Sequence, residues 1–254
     1  MITPKIKVLR SHGVQYIPNL NDVTLSEEFR GRPELTPTDD MSQVEAAAKL
    51  CPTNAISVVP FSLDLGKCLF CGECALQAPN NIRFTNDYMM ATTKREALII
   101  TPESKCVEFH HEAVRPIVRK LFGKALKLRQ VSAAGDASVE MELNATGNVN
   151  FDFGRFGVDF VASPRHSDGV VITGPISKAM AEPLQICYDA VPDPKVVIVC
   201  GSEACSGGLF AQSKAVDRSF LDSHDVDLWV PGAPSHPMCF IDGVMNLIGK
   251  KCER

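Results

Sequence analysis

Cys68, Cys71 and Cys74 follow one another at intervals of three residues in the run Cys68-Leu-Phe-Cys71-Gly-Glu-Cys74, and a fourth cysteine, Cys51, stands directly before Pro52. Thiolates are soft ligands, and a CxxCxxC run with a distant fourth partner is a spacing with which proteins hold iron-sulfur clusters. Buried cysteines often serve only as small apolar side chains, but packing does not demand this periodicity. Cys51, Cys68, Cys71 and Cys74 therefore read as one complete [4Fe-4S] site. Its chemistry would be one-electron transfer, at a potential set by thiolate charge, hydrogen bonding and burial. Such a site makes and breaks no substrate bonds.

The elements that must position these thiols form a repeat. Between Asp40 and about Thr85, a helical stretch (Val44 to Leu50), Cys51-Pro52 and a β-like run (Ala55 to Val59) are followed by the cysteine run, a second helical stretch and Ile82-Arg-Phe84. The arrangement resembles the two-cluster bacterial ferredoxins, in which the last cysteine of each copy crosses over to ligate the other cluster. That resemblance implies that Cys51 belongs with Cys68, Cys71 and Cys74. The ligand positions of the other cluster then fall on Met41, Val44, Ala47 and Ala78, the last followed by Pro79. All the losses fall in one site, so one cluster is expected to be retained and one absent.

At 254 residues, with 45% hydrophobic and 22% charged residues, the chain is long enough for two globular domains. A net charge of -4 and a pI near 5.9 give no basic footprint for nucleic acid. The N-terminus lacks the layout of a secretory signal, and the longest apolar runs, such as Val196 to Cys200, fall far short of a membrane span. Ten cysteines in short spacings without an export signal favour metal binding in a reducing compartment over a disulfide framework.

Four segments are expected: an extended, turn-rich arm over residues 1–37, a ferredoxin-type α+β domain over 38–105, a connecting helix over 106–126 and an α/β domain over 127–254. Apolar residues at Phe109, Ala113, Ile117, Leu121 and Ala125 suggest one helix from Glu108 to Leu126, kinked at Pro116. His110 and His111, adjacent on that helix, would point about 100° apart and not share a metal. From Lys127 onward, β-like runs at Arg129–Ala134, Val158–Ala162, Val170–Thr173, Val196–Cys200 and Asp227–Val230 alternate with helical patterns such as Ser177–Tyr188 and Ile241–Ile248. This βα repetition implies a parallel, flavodoxin-like sheet with functional loops at the strand C-terminal ends.

Those loops carry a second resemblance. Gly154-Arg-Phe-Gly157, Ser163-Pro-Arg-His-Ser-Asp168, Thr173-Gly-Pro-Ile-Ser-Lys-Ala-Met-Ala-Glu-Pro183, Pro192-Asp-Pro-Lys-Val196, Cys205-Ser-Gly-Gly208 and Val230-Pro-Gly-Ala-Pro234 occur in this order. Together they resemble the small subunit of membrane-bound [NiFe] hydrogenases and formate hydrogenlyase, homologous to the 20 kDa subunit of respiratory complex I. Phe29-Arg-Gly-Arg-Pro33 resembles the ferredoxin subunit of the same complexes, so the whole looks like a fusion of two neighbouring subunits. The resemblance implies a further [4Fe-4S] site before Glu140-Met-Glu142, in the loop before Ser-Gly-Gly and inside Pro-Gly-Cys-Pro. Here those positions are Asp136, Val139, Glu203 and Ala233, so that cluster is expected to be absent. Cys187, Cys200, Cys205 and Cys239 follow no ligand spacing and are expected to be packing residues. Arg165 and His166 lie in a loop that the resemblance places near the junction of cluster, large subunit and proton-handling or quinone cavity. The plainer reading pairs Arg165 with Glu140 or Glu142.

Two functional readings follow. One is an electron-transfer subunit of a membrane-bound hydrogenase-like or complex I-like oxidoreductase, peripheral on the cytoplasmic face of the cell membrane through a large-subunit-like protein and membrane subunits. The other is a structural bridge in such a complex, its cluster stapling a small fold. A stand-alone nucleotide- or flavin-binding enzyme would need a phosphate fingerprint. The turn Gly201–Gly208 lacks one, having neither the Walker lysine nor the GxGxxG order, and Cys205 has no partner histidine motif.

Overall fold

The computed structural model describes residues 3–13 and 15–250. The N-terminal half opens with helix α1 (Thr3–His12), every residue of which is exposed. After it come β1 (Pro33–Leu35), α2 (Ser42–Leu50), β2 (Ile56–Val58), β3 (Phe61–Asp64), α3 (Glu73–Gln77), β4 (Ile82–Phe84) and β5 (Ile99–Ile100). Strand, helix and strand thus occur twice in succession. The outer strands β1 and β4 pair antiparallel, with Glu34 opposite Arg83, and the inner strands β2 and β3 pair antiparallel, with Ser57 opposite Ser62. β5 extends the inner pair through Leu63 and Ile100, and α2 packs against α3.

The extended arm expected over residues 1–37 is corrected at both ends. Its start is helical, and its end belongs to the folded half. Gly31 N–H donates to Thr85 O and Arg32 N–H to Asp87 O, leading directly into β1. A Cβ at Gly31 would lie 2.1 Å from Asp87 O, so the chain passes there only without a side chain. Arg32, 6% exposed, is held by Asp87 at 3.1 Å.

The single connecting helix expected over 108–126 is also corrected. A 3₁₀ turn (His111–Ala113) ends before Val114, and α4 (Pro116–Phe122) begins with proline at its first turn. Arg115, forced towards extended backbone by the following proline, cannot continue a helix into it, and a missing N–H costs nothing at a helix start. Pro116 therefore begins a helix and does not kink one. His110 Nδ1 lies 3.0 Å from Glu112 Oε1, while His111 Nδ1 faces Arg119 Nη2 at 2.8 Å, so the two rings have different partners.

The C-terminal half comprises β6 (Leu126–Ser132), α5 (Ser138–Ala145), β7 (Val158–Phe160), β8 (Gly169–Thr173), α6 (Lys178–Asp189), β9 (Val196–Cys200), α7 (Ser202–Ser206), α8 (Ser219–Ser223), β10 (Leu228–Val230) and α9 (Pro237–Leu247). Its strands form a five-stranded, wholly parallel sheet in the order β10-β9-β8-β6-β7. Counted within this half, the order is that of flavodoxin-like doubly wound sheets, with the switch of direction between β6 and β8. The central strands β8 and β9 are buried along their full length, as expected of apolar runs covered on both faces.

One apolar core runs through both halves, and a second lies under α6 on the other face of the sheet. Helix α9 is buried at all of its residues, with Phe240 stacked on Phe160 (5.9 Å) and edge-on to Phe153 (6.3 Å). A helix with no exposed side is an interior helix, and its polar Asp242 and Asn246 are buried with it. The N-terminal half also covers the edge strand β10. Thr92 and Trp229 exchange both backbone hydrogen bonds (3.0 and 2.8 Å), which leaves that part of the edge paired.

Candidate metal centre and adjoining cleft

Four thiols converge where the two strand-helix-strand units meet. Cys51 terminates α2, its N–H still bonded to the last turn, and Pro52 prevents the helix from continuing. Cys68 leaves the turn after β3, where Asp64 organises the chain: Asp64 Oδ1 accepts from Gly66 N–H (2.9 Å) and Asp64 O from Cys68 N–H (3.0 Å). Between Cys68 and Cys74 the backbone takes left-handed steps at Phe70 (φ 51°) and Gly72 (φ 86°) before α3 begins. Arg30 holds this loop from outside, its Nε donating to Phe70 O at 2.6 Å.

Cys51, Cys68, Cys71 and Cys74 line one cavity of about 380 Å³, walled otherwise by apolar groups such as Ile56, Leu63 and Phe84. Cys68 and Cys74 are buried, Cys51 is half-buried and Cys71 is exposed. Among the described residues, no three His, Cys, Asp or Glu side chains converge closely enough to hold a single metal ion. The thiols ring a space, as ligands of a polynuclear core would. Backbone N–H groups point at the sulfurs, from Ala55 to Cys51 Sγ and from Phe70 to Cys68 Sγ, both at 3.3 Å. Burial pushes the Cys68 thiol up to about 12 and the Cys74 thiol to about 11, and the neighbouring cysteines push further in the same direction. Cys68 and Cys74 thus hold their protons unless a positive charge lies beside them, and a cationic iron core would supply it. The donor set fits a [4Fe-4S] cluster.

The positions that the ferredoxin resemblance would assign to a second cluster lie in packed core. Val44, Ala47 and Ala78 are fully buried in the core, with Met41 packed partly against it.

A second space opens at the C-terminal edge of the parallel sheet. Asp136, Val139, Glu203 and Ala233, far apart in the chain, share a cleft of about 680 Å³ with Ser138, Ser202, Leu209 and Leu69. They converge because β10, β9 and β6, with β8 between the last two, end at the same edge of the parallel sheet, and the loops leaving their C-terminal ends meet there. Asp136 opens α5 by accepting from Ser138 N–H (2.9 Å) and Oγ–H (2.6 Å). Leu69, within the cysteine run, also walls the thiol cavity, so one side chain separates the two spaces. Ser202 ties them together, its Oγ donating to Cys68 O at 2.6 Å.

The suggested pairing of Arg165 with Glu140 or Glu142 is corrected. Glu140, 8% exposed, accepts from Thr173 Oγ1 at 2.5 Å, a partner at the end of the adjacent strand β8. Arg165 and His166 lie on a 3₁₀ turn with no buried residue, and among the described residues Arg165 makes no ion pair with either glutamate. Two arginines not singled out in the sequence matter more. Arg95 makes a bidentate ion pair with Asp64 (2.8 and 2.9 Å) beside the Cys68 turn, and Arg218 donates to Glu203 O and Ala204 O at the cleft. Their partners are distant in sequence, so no spacing announces them; Arg30 alone of the three arginines lies within a recognisable motif.

Cys200, Cys205 and Cys239 are buried packing residues, Cys187 is half-buried, and Cys252 lies outside the described residues. Burial raises Cys205 from the ordinary 9.0 to about 12, against the opposing pull of Arg95 and Arg218. An unfolded chain would ionise this thiol from pH 9, whereas the folded one keeps its proton. Its contribution to stability is therefore present below pH 9 and lost as pH rises towards 12. Alkylation at about pH 8 followed by peptide mass spectrometry is expected to modify the exposed Cys106 while sparing Cys200, Cys205 and Cys239 until denaturant is added.

The parallel sheet and the loops gathered at its C-terminal edge define a flavodoxin-like α/β protein whose cleft abuts a ring of thiols. Residues 137–247 match the family described as "NADH ubiquinone oxidoreductase, 20 Kd subunit". The B subunit of the NADH-quinone oxidoreductase of Desulfovibrio desulfuricans is 45% identical over 113 residues, which are 44% of this chain and 61% of that protein. Its counterpart in Geotalea daltonii is 39% identical over 120 residues, 46% of this chain and 70% of the relative. A solved structure, that of the membrane-bound sulfane sulfur reductase, an archaeal respiratory membrane complex, covers 54% of this chain and 73% of its own at 26% identity and a TM-score of 0.43. The chain belongs to the family of the 20 kDa subunit of NADH-quinone oxidoreductase. The family match spans the α/β half and leaves the four-thiol half outside it. Among the described residues, no helix is long and apolar enough to cross a membrane.

Proposed function

We propose that this chain is an electron-transfer subunit of a membrane-associated, complex I-like or hydrogenase-like oxidoreductase, and that it carries one [4Fe-4S] cluster on Cys51, Cys68, Cys71 and Cys74. The observation that carries the reading is the meeting of the four thiols, one from the first strand-helix-strand unit and three from the second, around a single apolar cavity. The paired units support a ferredoxin-type fold for the N-terminal half, joined to a half like the 20 kDa subunit. The relatives are named as subunits of an NADH-quinone oxidoreductase, which supports partner subunits for this chain; in this reading they are a large-subunit-like protein and membrane subunits, with the chain peripheral on the cytoplasmic face.

When bound, the cluster supplies one-electron chemistry. The chain's own residues orient and insulate it. Asp64 and Arg30 fix the loop that presents Cys68, Cys71 and Cys74, and the N–H groups of Ala55 and Phe70 offset thiolate charge, which favours the reduced state. Anaerobically purified protein is expected to contain about four irons and four sulfides per chain. In the purified assembly the cluster should give an electron paramagnetic resonance signal that appears and disappears with turnover. Absence of iron would overturn the reading.

One observation favours a second reading, in which the cluster only staples the fold. The other ferredoxin-type position is filled by Val44, Ala47 and Ala78, and the position beyond Leu69 carries Asp136, Val139, Glu203 and Ala233. Electrons would then have to enter and leave through partners alone. A signal that never changes during turnover of an active assembly would decide for the staple.

A further inference from the structure

Two cluster positions lacking cysteines have opposite fates in the fold. Around Val44, Ala47 and Ala78 the chain has closed into fully buried core. At Asp136, Val139, Glu203 and Ala233 a cleft of about 680 Å³ remains. Protein interiors close-pack because a void forfeits contacts, so an open cleft beside a packed core suits an occupant from outside.

The lining states the chemistry of that occupant. Leu69, Val139, Leu209 and Pro234 make apolar walls. At the rim, Leu209 is 59% exposed and the adjacent Phe210 48%. The polar groups left to act are acceptors. The Ser138 and Ser202 hydroxyls are already engaged with Asp136 and with Cys68 O, whereas the Glu203 carboxyl receives no hydrogen bond or ion pair from any described residue. Burial, then the proximity of Asp136 and Glu140, raises the Glu203 pKa, so the group sits there uncompensated. No lysine, arginine or histidine lines the cleft. A lone metal ion is a poor match, since no three ligands converge among the described residues. Apolar walls ending in one unpartnered carboxyl, Glu203, with the Ser138-bound carboxylate of Asp136 beside it, suit a long aliphatic stem with a positive head.

We propose that this cleft, with Leu209 and Phe210 at its rim, is the surface on which a partner subunit docks by inserting a lysine or arginine side chain against Glu203 and Asp136. The inference rests on the chain being a subunit of an assembly. Its test uses the full, affinity-tagged chain recovered with its native assembly over stepped salt, as wild type, Glu203→Gln, Glu203→Lys and, as a control at an exposed site elsewhere, Glu27→Lys. A second preparation carries a photo-crosslinking residue in place of Leu209. Glu203→Lys is expected to lower retention of the assembly at least tenfold at high salt and the near-isosteric Glu203→Gln at least threefold, while Glu27→Lys has no effect. Iron content should be the same in all four. The crosslink at position 209 should join a partner peptide containing lysine or arginine. Wild-type retention of both Glu203 variants, or a crosslink to a peptide without a basic residue, would overturn this interface alone. Recovery of the wild-type chain by itself at low salt would overturn the subunit reading and the interface with it.

Discussion

Cys68→Ser is expected to leave the protein without a stable four-iron centre and to unfold much of its N-terminal half. Cys68 is 7% exposed, and its backbone lies at the junction of the two halves through Ser202. Serine offers a harder, far less acidic oxygen that cannot replace a thiolate on iron. Metal binding in small folds is worth about 10 kcal/mol or more, comparable with the whole stability of a domain at about 5–15 kcal/mol. Iron and sulfide content should fall to background, and limited proteolysis should cut between residues 40 and 85 where the wild type resists. Cys106→Ser, at an exposed cysteine outside the ring, is expected to change neither. Full iron loading of Cys68→Ser would show that the iron is held elsewhere.

Arg95→Ala is expected to cost up to about 3 kcal/mol, the lower end of the range for breaking a buried ion pair by removing one partner, because both side chains keep some contact with water. Asp64, 14% exposed, accepts from Gly66 and Cys68 N–H and would lose both guanidinium contacts, leaving the turn it organises without its brace. The guanidinium also packs on Gly66, where a Cβ would lie 2.6 Å from it, and faces the Trp229 ring at 6.0 Å. One arginine thus braces the thiol loop against the edge strand of the parallel sheet. Urea denaturation should show the loss as a lowered midpoint, and iron content should fall with it because the Cys68 turn loosens. Arg95→Lys should recover only part, since an ammonium cannot make the bidentate pair. A midpoint unchanged in Arg95→Ala would remove this brace from the account.

Much of this architecture is legible in the chain. The central strands β8 and β9 are continuous apolar runs bounded by glycine or proline, and their limits follow from those boundaries. Cys68, Cys71 and Cys74 read together from their spacing, whereas Cys51 joins them only through the resemblance to two-cluster ferredoxins. The convergence of Asp136, Val139, Glu203 and Ala233 is less direct; periodicity says nothing of it, and only the resemblance places them together. Helix α1 escapes a reading by pattern because it buries no residue and so carries no apolar stripe. Pro116 misleads because an apolar pattern of helical period continues across it, and the period does not reveal that a proline prefers to begin a helix. The Asp64–Arg95 and Arg30–Phe70 contacts span 31 and 40 residues and leave no local trace.

Helix α9 has no side turned to water, since the sheet takes one flank and the N-terminal half closes over another. Removing the N-terminal half would strip that flank, leaving a sticky apolar strip prone to aggregation. Two proteins that met only by collision would face a dissociation equilibrium, and dilution could part them. Carried on one polypeptide, the thiol ring and the cleft are always present one to one, at a fixed separation that no drop in concentration can change.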